Sequence, residues 1–475
     1  MPTSIPKARL AARPFGYIIT RAQAFGPAAF AREEGEGRPL GPEVIAPTRY
    51  IYMDVNQIVS VVVFVAALAV IISEKVHRAL VALVGAVLLL SLHVLSFEQA
   101  MGHLDLNTLG VLLGMMLFVA VVKLSGVFEY MAVKCAHVAK GSPWKIMMLF
   151  VLLTAVFSAF LDNVTTVLLM GPVTLTLCKL LKVNPVPFFI AEIMASNIGG
   201  TATLIGDPPN IMIGSAAGFQ FADFIVYDAP VVVVILALLI VTFYFMYGRK
   251  MRADAQATEE VMQLVPADYI KDRRLLRISA VMMALVVVGF MLHGTFGLES
   301  SVIALGAAGL ILLISRESIE HALSQVEWTT LAFFAGLFVI VGAMTETGVI
   351  GMLAQGLVDV TGGDVFLTML VLVFASAVVS AFLDNIPFVA TMIPILISME
   401  ATGMDVTPLW WAVSLGACLG GNGSLIGASA NVVLSDISKK NGHEITFVQF
   451  LKVGFPIMLG SVAVAAVYLM LRFPA

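Results

Sequence analysis

Charge is scarce in this chain. Asp, Glu, Lys and Arg make up 12% of its 475 residues, roughly half the share usual in soluble domains. A soluble fold of this size would have almost no polar skin over a very large dry core, and that reading is set aside. Cysteine is nearly missing as well. Cys135, Cys178 and Cys418 stand alone in apolar stretches, with no CxxC and no even-numbered framework, so no disulfide scaffold is expected. The seven His residues are scattered and none forms an i, i+4 pair, so no structural metal is expected. They supply no nucleophile–base or metal constellation, and an enzyme is not expected. The net charge of −4 says little in an apolar chain, and nothing calls for a nucleic-acid partner or an organic cofactor.

What is plentiful is apolar residue, 60% of the chain. A bilayer crossing needs about 20 mostly apolar residues. That ruler gives crossings at Gln57–Ile72, Ala79–Val94 and Thr108–Leu124, then Lys145–Leu181 interrupted at Ser158–Thr166, Pro187–Ala217 interrupted at Asn197–Asn210, and Val226–Tyr247. A second series follows: Leu275–Leu292, Ser301–Ile314, Thr329–Met344, the interrupted Phe366–Met399, the interrupted Pro408–Leu434, and Leu451–Leu471. The expected fold is an all-α polytopic membrane protein. Its expected parts are residues 1–52, a poorly ordered leader with Met53 as a candidate start; 53–248, a first transmembrane repeat; 249–274, a charged cytoplasmic linker; and 275–475, a second repeat.

The two series are copies. Ser158-Ala159-Phe160-Leu161-Asp162-Asn163 returns 222 residues later as Ser380-Ala381-Phe382-Leu383-Asp384-Asn385. Thr108-Leu109 and Gly126-Val127 return at the same offset, while Gly199-Gly200, Leu204-Ile205-Gly206 and Asn210 return at 221. Phe221 and Pro230 return at 226. Colinear Asp, Asn, Gly and Pro point to one duplicated unit with small indels.

An Asp near a bilayer midplane costs at least about 2.5–3.5 kcal/mol, so two such residues argue for function. Polar, Gly-rich backbone survives at membrane depth only where protein or a water-filled cavity satisfies it. Lys145–Leu181 therefore reads as a re-entrant hairpin with its Asp-Asn tip near the midplane; two full crossings joined by a tight turn are the alternative. Pro187–Ala217 reads as one crossing unwound at Asn-Ile-Gly-Gly-Thr. Lys and Arg gather in loops expected on the cytoplasmic side: Lys75/Arg78, Lys134/Lys140/Lys145, the linker and Lys439/Lys440. Five crossings plus one hairpin per half is an odd number of crossings, which makes the second repeat inverted relative to the first.

Two tips and two breaks would then meet centrally. The first centre is Asp162, Asn163, Thr165 and Thr166 with Asn197, Gly199, Gly200, Thr201 and Thr203. The second is Asp384 and Asn385 with Asn422, Gly423, Ser424 and Ser429. Their carboxylate, amide, hydroxyl and carbonyl oxygens are hard ligands suited to Na⁺ or another hard cation, with Asp162, Asn163, Asn197 and Thr201 as the candidate Na⁺ ligands. Glycines let the breaks bend, and half-helix N-termini favour an anion. Buried carboxyls favour the neutral form, which makes Asp162 and Asp384 equally candidate proton carriers. Glu192, opposite Val413 in the second copy, is either a proton relay or an interfacial residue paired with a basic loop. Lys123 reads as a helix-end residue reaching for the interface. Asp207, before Pro208-Pro209-Asn210, is either a helix cap or a further cation ligand. Its copy is Ala428, ahead of Asn431.

Four strings, Ile72-Ser73-Glu74-Lys75-Val76-His77-Arg78, Ser158–Thr166, Ser196–Asn210 and Ser380–Pro387, resemble those of the ion transporter superfamily. The match is to the branch of arsenite permease-like proteins and the melanosomal P protein, with a citrate transporter-like domain. It runs over roughly Met53 to Ala475. The resemblance implies two inverted repeats, two re-entrant hairpins, two unwound helices, and a homodimer with elevator-like motion. The Asp-Asn tips replace the Ser-Asn-Thr tips of the dicarboxylate branch, which argues against dicarboxylates. The expected function is Na⁺- or H⁺-coupled secondary transport of a small anion or a metalloid oxyanion species such as arsenite, although neither centre contains a cysteine for As(III). A Na⁺/H⁺ antiporter is the alternative, since the centres lack an evident basic clamp for substrate; a channel-like anion conductance is another. The expected location is the plasma (inner) membrane if the source is prokaryotic.

Overall fold

The computed structural model describes residues 53–73 and 75–474. The leader expected at 1–52 lies outside them. The helices, in chain order, are α1 Val55–Ile72, α2 Arg78–Ser91, α3 Phe97–Gly102, α4 Leu106–Leu124, α5 Val127–Val138, α6 Pro143–Phe160, α7 Asn163–Leu180, α8 Val186–Thr201, α9 Pro208–Ala217, α10 Phe221–Tyr227, α11 Ala229–Met246 and α12 Ala255–Met262. They continue with α13 Arg273–Leu292, α14 Ser300–Ser315, α15 Ile319–Ser324, α16 Trp328–Glu346, α17 Val349–Thr361, α18 Val365–Phe382, α19 Asn385–Glu400, α20 Thr407–Gly420, α21 Ser429–Lys440 and α22 Phe447–Arg472. Among the described residues nine helices are long and apolar enough to cross a bilayer: α1, α4, α6, α7, α11, α13, α16, α18 and α22. Their outward faces carry large apolar side chains, such as Val233, Leu238 and Phe245 on α11 and Val281, Leu285 and Val288 on α13. Water would penalise such a surface and lipid would not.

Local chemistry sets the ends. Asp54 and Gln57 form a capping box on α1, and Asp162 and Asp364 accept backbone N–H bonds at the starts of α7 and α18. Gly126 and Gly348, at φ 78° and 80°, turn the chain into α5 and α17. Hydropathy alone reads both of those helices as loops, because α5 is only 12 residues long and carries Lys134. The Gly-Val pair at 126–127 and 348–349 was the available signal for them.

Close backbone approach decides the packing. A Cβ at Gly114 on α4 would lie 2.5 Å from the Ala304 carbonyl carbon on α14, and one at Gly336 on α16 would lie 2.6 Å from that of Ala82 on α2. A Cβ at Gly199 on α8 would lie 2.3 Å from the Ala155 oxygen on α6, and one at Gly420 on α20 would lie 2.6 Å from the Ala377 oxygen on α18. Small residues are how apolar helices come close enough for dispersion to hold them without water's help.

One boundary differs from expectation. The sequence predicts a break from Asn197, but α8 stays helical through Thr201, and the irregular segment is 202–207. Thr201 Oγ1 donates back to the Asn197 carbonyl at 2.8 Å, one turn earlier. Gly199 and Gly200 therefore serve contact with α6 and with the break, not unwinding. In the second series the helix does stop at the glycines: α20 ends at Gly420, and 421–428 is irregular.

Candidate functional site

The breaks between α8 and α9 and between α20 and α21 are each tied by an asparagine. Asn210 Nδ2 donates to the Thr201 and Thr203 carbonyls, both at 3.1 Å. Asn431 Nδ2 does the same to Gly421 and Ser424, at 2.7 and 2.8 Å. Hydroxyls pin each break to the neighbouring helix: Thr203 donates to the Ala159 carbonyl, and Ser424 to that of Ala381 at 2.5 Å. Gly423 lies against Ala381, with room for no Cβ.

The two series meet at Asn197. Its Nδ2 donates to Asn422 Oδ1 and Asn431 Oδ1, both at 3.0 Å, and its Oδ1 accepts from Asn163 at 3.3 Å. Asn385, the copy of Asn163, instead donates to both oxygens of Asp207, at 3.3 and 3.2 Å. Asp207 makes no capping bond to α9, so its carboxylate is held by the other half of the chain. Asn163, Thr166, Asn197, Thr201, Asn210, Asn422 and Asn431 are all buried. The Thr166 and Ser158 hydroxyls and Asn422 Nδ2 are buried with no protein partner. Polar groups buried unpaired in a native core call for an explanation.

Asp162 and Asp384 occupy equivalent places and do different things. Asp162 accepts from the Thr165 N–H at 2.8 Å. Asp384 accepts from the Ile386 N–H at 3.2 Å, from the Ser429 hydroxyl at 2.9 Å and from Arg78 Nη1 at 2.8 Å. Arg78 also donates to Ser429 Oγ at 2.5 Å, and its guanidinium lies over the Phe333 ring. The expectation that the centres have no basic group is thus wrong. Arg78, grouped with Lys75 as a loop charge, is the first residue of α2, and its side chain is drawn into the second centre.

Two cavities share this guanidinium. The smaller, about 20 Å³, is lined by Asp162, Asp207, Glu327, Asn163, Asn385 and Arg78 among others. About 10–15 Å³ suffices for one water-sized species. The larger, about 420 Å³, is lined by Arg78, His77, Asp384 and Ser429 with apolar Ile71, Ile72, Val76 and Phe382, within the size range of small-molecule sites. Asp162, Asp207, Glu327 and Asp384 together outnumber the one guanidinium, so the region favours a cation or bound protons. Among the described residues no three acidic, His or Cys side chains converge as a metal cluster. A cation here would be held by one or two carboxylates plus amide and hydroxyl oxygens.

The citrate transporter family, CitMHS, matches residues 68–416. The chain belongs to the citrate transporter family. Relatives agree along almost the whole described length. A 46 kDa membrane protein of Mycobacterium leprae is 41% identical over 423 residues, covering 88% of this chain and 99% of its own. An uncharacterized transporter of Mycobacterium tuberculosis is 43% identical over 423 residues, covering 88% and 98%. The human P protein is 34% identical over 487 residues, covering 85% of this chain and 58% of its own. Among solved structures, the YdaH transporter of Alcanivorax borkumensis superposes with a TM-score of 0.57 at 17% identity, over 88% of this chain and 98% of that one. That likeness shows the fold: all-helical and multi-span. This member of the citrate transporter family is a multi-pass integral membrane protein and a secondary transporter, not an enzyme.

Several of its central residues escaped the sequence reading. Glu327 at the start of α16 accepts from Thr330, as Asp105 at the start of α4 accepts from Thr108. That acid-x-x-Thr pair, repeated at offset 222, was legible. Cys418 is buried with its Sγ 3.5 Å from Asn210 Oδ1, so one thiol does lie in the centre, contrary to expectation. Glu192 is fully buried and accepts from Thr174 Oγ1, so it pairs with no basic loop. Lys123 is exposed at the last turn of α4, where a helix-end residue belongs.

Proposed function

We propose that the protein carries a small anion in the larger cavity, bound by Arg78, coupled to a cation in the smaller one. The observation that carries this reading is the Arg78–Asp384 pair, 2.8 Å apart, whose guanidinium lines both cavities. A substrate anion competes with Asp384 for the guanidinium, and a Na⁺ or H⁺ near Asp162, Asp207 and Glu327 offsets the negative charge that the anion adds. Asn163, which lines the same cavity, supplies a further oxygen ligand. The anion in this reading is a carboxylate or a metalloid oxyanion such as arsenite.

The architecture we propose is two inverted repeats, 53–248 and 275–475, joined by the cytoplasmic linker 249–274. The support is reciprocity. Gly114 packs on Ala304 while Gly336 packs on Ala82, and each pair is the other shifted by 222 residues. α6–α7 and α18–α19 are read as re-entrant hairpins because Asn163 and Asn385 at their tips bond to the middle of the broken helices. A homodimer with elevator-like motion completes the proposal.

Proteoliposome uptake tests it. Asp162→Asn and Asp384→Asn are expected to abolish uptake driven by an imposed Na⁺ or pH gradient while leaving a monodisperse protein; wild-type uptake in both would overturn the site. A thermal-shift screen of carboxylates, oxyanions, Na⁺ and Li⁺ is expected to raise the melting temperature for the true ligands, by about 2.7 kcal/mol of added stability at a hundredfold excess over Kd. The excess of carboxylates also favours a Na⁺/H⁺ antiporter, which would exchange those ions with no anion added. Currents that reverse at the anion's Nernst potential would instead mark a channel-like conductance.

A further inference from the structure

Ser414 on α20 stands between two hydrogen-bond acceptors. Its Oγ is 2.7 Å from Asp228 Oδ2 and 2.8 Å from Asn210 Oδ1, and all three residues are fully buried. A serine hydroxyl has one hydrogen to give. The Asn210 amide cannot present its nitrogen instead. Its Nδ2 already donates to the Thr201 and Thr203 carbonyls, and a flipped amide would set oxygen against both. With an ionised Asp228, two short contacts would share one hydrogen, and one of them would be lone pair against lone pair. A proton on Asp228 removes the conflict: Asp228 donates to Ser414, and Ser414 donates to Asn210.

The surroundings agree. Asp228 Oδ1 is buried and unpartnered, and no salt bridge of the described residues includes Asp228. The titratable groups near enough to feel its charge are Cys418 on α20 and Tyr468 on α22, with Arg472 drawn over the Tyr227 ring, 4.7 Å from its centroid. A lone carboxylate in such a place carries a large desolvation penalty.

We propose that Asp228 is a proton-binding site that positions Asn210, and through it the break between α8 and α9, so that H⁺ is the coupling ion. The proposal rests on the centre being the transport site. When the proton leaves, Ser414 turns its hydrogen to the Asp228 carboxylate. Asn210 Oδ1 then keeps only the weak thiol contact of Cys418, and the tie across the break loosens next to Asp207. Neither partner is duplicated: at the local offsets Gly454 stands for Asp228 and Ile193 for Ser414. The switch therefore acts on one half alone.

Asp228→Asn keeps a donor toward Ser414 and imitates the protonated acid. In the infrared difference spectrum of wild type minus variant at neutral pH, the carbonyl band of a protonated carboxylic acid is expected; its absence overturns the proposal. In proteoliposomes the variant is expected to lose the pH dependence of uptake, and an unchanged pH profile overturns the coupling. Ser414→Ala keeps the acid and removes the link, so its carboxylic acid band is expected to shift while pH dependence is lost. It also serves if Asp228→Asn does not fold, and an unmoved band with an unchanged pH profile counts against the proposal. The infrared result needs no substrate, so a failure of the anion reading at Arg78 leaves it standing and is told apart from a failure here.

Discussion

Arg78→Gln is expected to cut substrate flux at least about 100-fold in proteoliposomes, with the protein still folded. Charged hydrogen bonds contribute ~1.5–3 kcal/mol each, and a loss of about 2.7 kcal/mol is a factor of roughly 100. The guanidinium makes two such bonds and, in the proposed cycle, exchanges one of them for the substrate. Arg78→Lys retains the charge without the planar fork and is expected to recover part of the flux with weaker affinity. The side chains of Arg78 and Asp384 are 24% and 13% exposed, so solvent screens the pair only in part and its loss is expected to cost about 1–3 kcal/mol of stability. A melting curve alongside the uptake assay separates the two effects. Wild-type flux in Arg78→Gln would remove the anion from this cavity.

Gly199→Ala is expected to be strongly destabilising for a single added methyl group. The three nearest atoms to the added Cβ are the Ala155 oxygen, Cα and carbonyl carbon, at 2.3, 2.5 and 2.7 Å. All belong to backbone, so no side chain can turn aside. α6 and α8 must separate, and overpacking of this kind costs about 3 kcal/mol or more. Gly420→Ala meets the Ala377 oxygen and Cα at 2.6 and 2.8 Å and should follow closely. Gly306→Ala, in α14 with nothing within 4 Å, is the control and should gain roughly 0.5–1 kcal/mol from helix propensity. Denaturant unfolding in detergent reads all three; equal stability of Gly199→Ala and Gly306→Ala would contradict the packing described.

Much of this was legible in the sequence. Apolar runs separated by charged turns placed the spanning helices to within a few residues, because burial in lipid imposes a length that hydropathy reads directly. The Asp-Asn turns between α6 and α7 and between α18 and α19 were legible because a carboxylate in an apolar run has few bland explanations. Arg78 was not, since a basic residue at the edge of an apolar run usually lies in a loop; only tertiary structure shows a side chain turned inward. The glycines at 199 and 200 were misread for a related reason. Sequence signals that the backbone must be bare, and here that serves a neighbouring helix, not a bend. The Ser414 link between Asp228 and Asn210 joins residues up to 204 positions apart, beyond any local pattern.

The seating of α4 against α14 has a consequence for how the chain is made. Gly110 lies against Ser301 and Gly114 against the backbone of Ala304 and Leu305, residues synthesised about 190 positions later. At roughly 5–20 residues per second, the glycine face of α4 waits about 10–40 s for its partner. Until then its native partner has not been made. The nascent membrane domain must therefore be sheltered, by lipid, by the insertion machinery or by a transient wrong neighbour. A ribosome stalled in the charged linker would leave an intermediate in which a cysteine substituted at Gly110 is still open to a thiol crosslinker, whereas Ser301 closes that position in the finished protein.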